Sequence, residues 1–313
     1  MFKQFTLATL AALTLSGCEL DDSDSNNDAS SDTYSFDLTL GEVTKGVANV
    51  AVTVTDNEGN ALPDENITVT ANMKMADLPD GSEGMQHGTP FSSNSGELNE
   101  DGQFNTTAYF LMPSVMGDMA MGDWSIEVAF EGESKTFDIN VDMATSDVKK
   151  LIDNEDQIPK MTMDMNSMEM DAQMEMENRW YYLFERTRMV MDNMNSFEVF
   201  IAAREDMLTY PAVALGTTLN EGVMGAALSI TNVNVEMCNA INDCAPQSVN
   251  WVSAAAVAEQ PGVYKAMGLG LVGDDSDEVE VRLTVNDSLK TSDGNQSGLN
   301  ARFAFEATAD MAM

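Results

Sequence analysis

The sequence predicts an all-β protein: two tandem immunoglobulin-like β-sandwiches joined by a methionine-rich linker, behind an acidic, disordered tether. Short segments that alternate apolar with polar residues, or are rich in β-branched ones, recur along the first half: YSFDLTL, VANVAVTVTD, NITVTANM, FNTTAYFL, WSIEVAF and KTFDINVDM. Turn-forming clusters such as DNEGN, LPDGSEG and NEDG separate them, and short strands at that spacing build a sandwich. The second half repeats the plan. WYYLFERTRM stands in place of YSFDLTL, and NSFEVFIAAREDMLTYPAVALGTTL in place of ANVAVTVTDNEGNALPDENITVT. PGVYKAMGLGLVG and then DEVEVRLTVND take the places of DGQFNTTAYFLM and then GDWSIEVAFEG, and RFAFEATADM supplies a final strand. Self-similarity of this kind marks a repeated unit.

Residues 1–17 read as a signal peptide: Lys3 supplies the basic start, and the apolar run from Phe5 to Leu15 is too short to stay in a bilayer as a spanning helix. The ending Leu15-Ser16-Gly17-Cys18 resembles a bacterial lipobox. That resemblance implies cleavage before Cys18, lipid on its thiol, and a membrane as partner through this anchor. Glu19 rather than aspartate after the cysteine favours an outer-membrane address over an inner one, facing the periplasm or the surface. Residues 18–33 (CELDDSDSNNDASSDT) hold too little apolar surface to fold and form the tether. Residues 34–143 are the first sandwich, 144–177 the linker and 178–313 the second sandwich. No later segment is long and apolar enough for a transmembrane helix.

The chain carries 52 acidic and 15 basic residues, a net charge of −37. A polyanion is repelled by phosphate backbones, so nucleic acid is excluded as a partner. Beyond Cys18 only Cys238 and Cys244 remain, with five residues between them. Two thiols this close outside the cytoplasm predict a disulfide closing a small loop; the ligand spacing of a zinc site is missing.

In the first half a turn from Gly59 to Pro63 precedes a strand ending Met73-Lys74-Met75. Then come Met85-Gln86-His87-Gly88, a strand from Gly102 to Tyr109, and Met121-Gly122-Asp123-Trp124. This order, over Tyr34 to Met143, resembles the YtkA-like/FixH-like family of extracytoplasmic β-sandwich domains. Members of that family are linked to copper handling or oxidase assembly. The resemblance implies metal-ligand positions at Met73, Met75, Met85 and His87, and copper-handling envelope proteins as partners. The chain departs from the pattern in an insertion from Pro113 to Ala120 and in a second half without histidine.

Thioether sulfur is soft, uncharged and needs no deprotonation, so it selects copper(I) over zinc or magnesium. His87, the only histidine of the chain, adds a borderline ligand in a glycine-bounded polar stretch. In extended backbone Met85 and His87 point to one side, as do Met73 and Met75. Met112, Met116, Met119 and Met121 form a third group. Convergence of the three at one sandwich end makes a copper(I) site; methionine as core filler is the competing account. A second, weaker set lies in MTMDMNSMEMDAQMEM, where Met161, Met163, Met165, Met168 and Met170 form Met-x-Met units among acids. Their spacing fits strand pieces better than a helical stripe. Packing against the second sandwich and sacrificial oxidation are equal alternatives there.

Catalysis has little to build on. A single histidine and no free cysteine leave no nucleophile–base set, and neither a phosphate-binding glycine loop nor HExxH occurs. Asp21-Asp22-Ser23-Asp24 and Asp274-Asp275-Ser276-Asp277 lack EF-hand spacing and read as solvated turns. The function expected is therefore a lipid-anchored, non-catalytic envelope protein that buffers, transfers or senses copper(I). The alternative is a structural or protein-binding lipoprotein whose methionines only pack.

Overall fold

Alternation in VANVAVTVTD sends Ala48, Val50, Val52 and Val54 to one side, and all four are buried. GDWSIEVAF does the same with Trp124, Ile126, Val128 and Phe130. These two rows face each other across the first core, together with Phe36, Ile67, Val69, Ala71 and Phe104. A period of two with one face buried is what a sandwich strand requires. The computed structural model describes residues 33–75, 84–160, 175–190, 195–223, 225–273 and 277–305.

The strands of the first half are β1 (Tyr34–Leu40), β2 (Val47–Asp56), β3 (Asn66–Met75), β4 (Gln86–Gly88), β5 (Ser95–Glu97), β6 (Gln103–Tyr109), β7 (Val115–Met116), β8 (Met119–Ala120), β9 (Gly122–Phe130) and β10 (Glu133–Ile139). They make a three-stranded sheet β1-β2-β6 and a sheet β10-β9-β3-β4 in which β5 also pairs with β3. The pair β7-β8 is a separate hairpin.

The second half contains β11 (Lys149–Pro159), β12 (Met176–Met189), β13 (Ser196–Ala203), β14 (Thr218–Leu219), β15 (Leu228–Ser229), β16 (Val233–Asn239), β17 (Val252–Ser253), β18 (Ala255–Ala256), β19 (Val263–Met267), β20 (Glu278–Val285), β21 (Ser288–Lys290) and β22 (Ala301–Ala304). One sheet runs β11-β12-β13-β19-β18, the other β17-β16-β20-β21 with β22 on β20, and β14 pairs with β15. The strand orders of the two halves correspond. Sheet β1-β2-β6 matches β12-β13-β19, and β10-β9-β3-β4 matches β21-β20-β16-β17. The chain is thus all-β, built from paired antiparallel sheets.

The seam between the halves comes from strands buried on both faces. In β12, Tyr181 and Leu183 enter the second core, while Tyr182 and Phe184 enter a separate apolar cluster with Tyr109 and Leu111 of the first half. In β13, Phe197, Val199 and Ile201 point to the core, and Phe200 and Ala202 to the seam. The Tyr109 and Phe200 rings stack with centroids 3.8 Å apart. Lys45 pairs with Glu185 at 2.9 Å. The Gly88 N–H donates to the Met207 carbonyl at 2.8 Å, and a Cβ on Gly88 would collide with the Leu208 carbonyl. From Tyr34 onward the chain is accordingly one compact unit.

The linker expected over residues 144–177 is corrected by β11. The crossing between halves takes only 140–148, with a short 3-10 turn at Thr145–Asp147. Lys149–Pro159 then pairs with β12 in the second half's own sheet. The alternation was hidden because Asp153 occupies a buried position in β11, bonded to Lys290 Nζ at 2.7 Å and to Ser288 Oγ at 2.6 Å. The methionine run thus connects two paired strands of one sheet rather than two sandwiches; Lys160 N–H donates to the Glu175 carbonyl at 2.7 Å at its base.

Candidate functional site

The pairing of β3 with β4 sets Met73 opposite His87 and Lys74 opposite Gln86. The Met75 N–H donates to the Met85 carbonyl at 3.0 Å, which places Met75 beside Met85 one step further out. Side chains two apart on a strand share a face, and opposed residues of an antiparallel pair have Cβ atoms about 4.5–5.5 Å apart. Met73, Met75, Met85 and His87 therefore lie on one face of two adjacent strand ends, spread from core to solvent. Met73 is fully buried at 0% exposure and fills the first core. Met75 and His87 are half-buried, and Met85 is 43% exposed.

The third group rises from the same end of the sheet. Met75 is paired with Gly122, the first residue of β9, and the β7-β8 hairpin lies immediately before it. Met116 and Met119 oppose each other across that hairpin, with Gly117 at φ +61° in its turn. They are 45% and 62% exposed. Met112 and Met121 pack against the first core instead, and the Met112 carbonyl accepts the Trp124 Nε1–H at 3.1 Å. So the structure brings Met75, Met85, Met116 and Met119 to one end in contact with solvent, whereas Met73, Met112 and Met121 serve packing.

His87 has an electrostatic setting that no first-half residue reveals. Burial, and then the charges of Arg204 and Lys150, hold its imidazole below the ordinary histidine pKa. It is neutral at pH 7 and has a free lone pair, but the same two cations repel a metal ion brought to it. Among the described residues no group of three or more His, Cys, Asp or Glu side chains converges to hold a metal. A metal at this end would rest on thioethers.

Met161, Met163, Met165, Met168 and Met170 lie outside the described residues, as does the lipidation candidate Cys18. Cys238 and Cys244 form the expected disulfide, with Cα atoms 5.9 Å apart. It closes the end of β16, the counterpart of β3. There Asp277 is buried and accepts the Val272 and Gly273 N–H groups at 2.8 and 2.6 Å, while Asn239 donates to it at 3.3 Å.

Sequence reasoning missed the second-half residues Lys150, Arg204 and Met207, which act on β4 across the seam. The one available signal was the unbroken apolar run WYYLF, since a strand buried on both faces shows no alternation.

No family model matches the sequence, and no curated protein matches it. Seven chains of solved structure match. Invasin, a bacterial integrin-binding protein, is 13% identical over 88% of this chain and 60% of that one, with a TM-score of 0.23. MtrC from Shewanella baltica OS185 is 8% identical over 88% and 69%, with a TM-score of 0.24. The outer membrane decaheme cytochrome OmcA is 9% identical over 82% and 66%, with a TM-score of 0.20. Likenesses at this level carry no functional assignment.

Proposed function

We propose that the chain is an extracytoplasmic protein that binds copper(I) through the thioethers of Met75, Met85, Met116 and Met119, for buffering, transfer or sensing of the metal. The observation that carries this reading is the grouping of solvent-reaching methionines at one strand end. Met75 lies beside Met85, and Met116 opposes Met119 on the adjoining hairpin. Core packing accounts for Met73, Met112 and Met121, but an exposed thioether gains little by burial it does not have. Four neutral sulfurs suit a soft monovalent ion, and a net charge of −37 attracts cations to the protein as a whole. The motif order shared with YtkA-like/FixH-like domains supports the same ligand region. His87 is left out of the ligand set because Arg204 and Lys150 stand beside it.

The disulfide and the signal-like start support an oxidising, envelope location. Lipid on Cys18 is tested by labelling cells with a radioactive or clickable fatty acid. Label is expected on the wild type and none on Cys18→Ser; equal labelling of both removes the anchor.

Metal binding is tested by anaerobic titration of the purified protein with copper(I) against a chromogenic chelator. Wild type competes for the ion. Met75→Leu/Met85→Leu and Met116→Leu/Met119→Leu, which keep apolar volume, lose most of that competition, and His87→Gln keeps it. Failure of the wild type to compete ends the copper reading.

A further inference from the structure

We propose that Lys150 and Arg204, on either side of the Trp180 indole, form an oxyanion-binding site at the seam edge of the second half, with Glu177 as the carboxylate an incoming ligand displaces.

Three neighbouring strands build it. Lys150 of β11 is opposite Tyr182 of β12, and Ile152 opposite Trp180. The Arg204 N–H, just past the end of β13, donates to the Trp180 carbonyl at 2.9 Å. Lys150, Trp180, Tyr182 and Arg204 therefore share one face. The Lys150 ammonium sits 4.8 Å from the Trp180 ring centroid and 5.6 Å from that of Tyr182. The Arg204 guanidinium is 4.5 Å from the same Trp180 centroid. One indole thus holds two like charges, in a chain with only 15 basic residues against 52 acidic ones.

Stability alone does not account for this placement. Lys150 is exposed and has no carboxylate partner among the described residues, although acids far outnumber bases in the chain. Arg204 is buried to 5% exposure, yet neither its Nε nor its Nη2 has a well-aligned hydrogen-bond acceptor among the described residues. These two N–H groups form the edge of the guanidinium that grips a carboxylate or phosphate with two parallel bonds. Glu177 Oε1 lies 2.6 Å from Nη2, but off the N–H direction, so it balances charge without using the fork. With its side chain 31% exposed, Glu177 is free to swing toward solvent. The third nitrogen, Nη1, is turned to the Met207 sulfur at 3.9 Å. An oxyanion in Glu177's place takes the Nε and Nη2 N–H groups of Arg204, with the Lys150 ammonium across the Trp180 ring. Carboxylate and phosphate share this chemistry. The charge that counts against a metal at His87 is the charge that favours an anion next to it.

The test uses the metal-free, full-length folded chain. Succinate and inorganic phosphate are titrated separately, with sodium chloride holding ionic strength constant. Binding is followed by the Trp180 indole N–H resonance and by thermal unfolding. Glu177→Gln removes the internal competitor and is expected to bind the better probe about tenfold more tightly than wild type, with its melting point raised by that probe. Lys150→Gln is expected to bind it about tenfold more weakly, the scale of one charge-assisted contact. The probe with the greater effect identifies the ligand as carboxylate or phosphate. Responses no larger than the chloride control in Glu177→Gln overturn the site, and so does equal binding by wild type, Glu177→Gln and Lys150→Gln. Met75→Leu/Met85→Leu is expected to keep the anion response, which separates this site from the copper site.

Discussion

Two corresponding strand ends are finished in opposite ways. In the second half, β16 ends in a disulfide loop between Cys238 and Cys244, over a buried Asp277 whose oxygens accept Val272 N–H, Gly273 N–H and the Asn239 amide. That end is sealed covalently and by hydrogen bonds. In the first half, β3 runs outward from the buried Met73 to Met75, with Met85 beside it and the exposed Met116 and Met119 on the hairpin before β9. That end has thioethers where its counterpart has cross-links. The same strand order therefore supports a structural closure in one place and a set of exposed soft donors in the other. The difference is made by side chains and by the inserted β7-β8 hairpin, which is why fold does not settle function.

The contrast breaks first at its innermost methionine. Met73→Ala empties a fully packed core position and is expected to cost about 2–5 kcal/mol, read as a shift in denaturant midpoint. Met73→Leu, which conserves volume, is expected to cost under about 1.5 kcal/mol. A small effect of alanine would mean that Met73 does not pack as its burial implies. Next comes the sealed end. Cys238→Ser/Cys244→Ser opens a short loop, and loop entropy sets the expected loss at roughly 2 kcal/mol, with copper(I) competition unchanged. Loss of copper binding in that variant would tie the metal to the wrong end.

The open end sharpens the contrast from the other side. Met116→Leu/Met119→Leu is expected to alter stability by no more than about 0.5 kcal/mol, because exposed positions contribute little. It removes copper(I) competition all the same. A destabilisation comparable to Met73→Ala would return these residues to a packing role.

The smallest expected effect belongs to His87. Its pKa in the fold is depressed, so the unfolded chain binds the proton more readily. Stability is therefore full above the unfolded value, near 6.5, and falls as pH drops through that value toward the folded one. Unfolding midpoints between pH 7.5 and 5 are expected to fall more steeply for wild type than for His87→Gln. Parallel profiles would show that Arg204 and Lys150 do not act on this imidazole.

Much of this architecture is legible in the residue pattern. The rows Ala48, Val50, Val52, Val54 and Trp124, Ile126, Val128, Phe130 can be read from alternation because each strand buries one face only. The cysteine pair is legible because short spacing leaves little else for two thiols to do outside the cytoplasm. The strand β11 was not legible: Asp153 breaks the apolar alternation, and its neutralising partner Lys290 comes from the far end of the chain. The seam was hidden for a related reason, since β12 and β13 bury both faces and lose the period of two.

The methionines divide along the same line. Which of them occur in pairs, and that their sulfurs prefer soft metals, is a property of the sequence, because spacing and side-chain chemistry are local. Which of them are solvent-facing and which are core depends on the partner strand laid beside each one, and those partners come from distant parts of the chain. His87 shows the division most clearly. Its identity and its place beside Met85 are written in the first half, but what keeps it neutral is burial and then the charges of Arg204 and Lys150, which the second half supplies. Electrostatic energy depends on distance in space, and only the packing of the two halves against each other sets that distance.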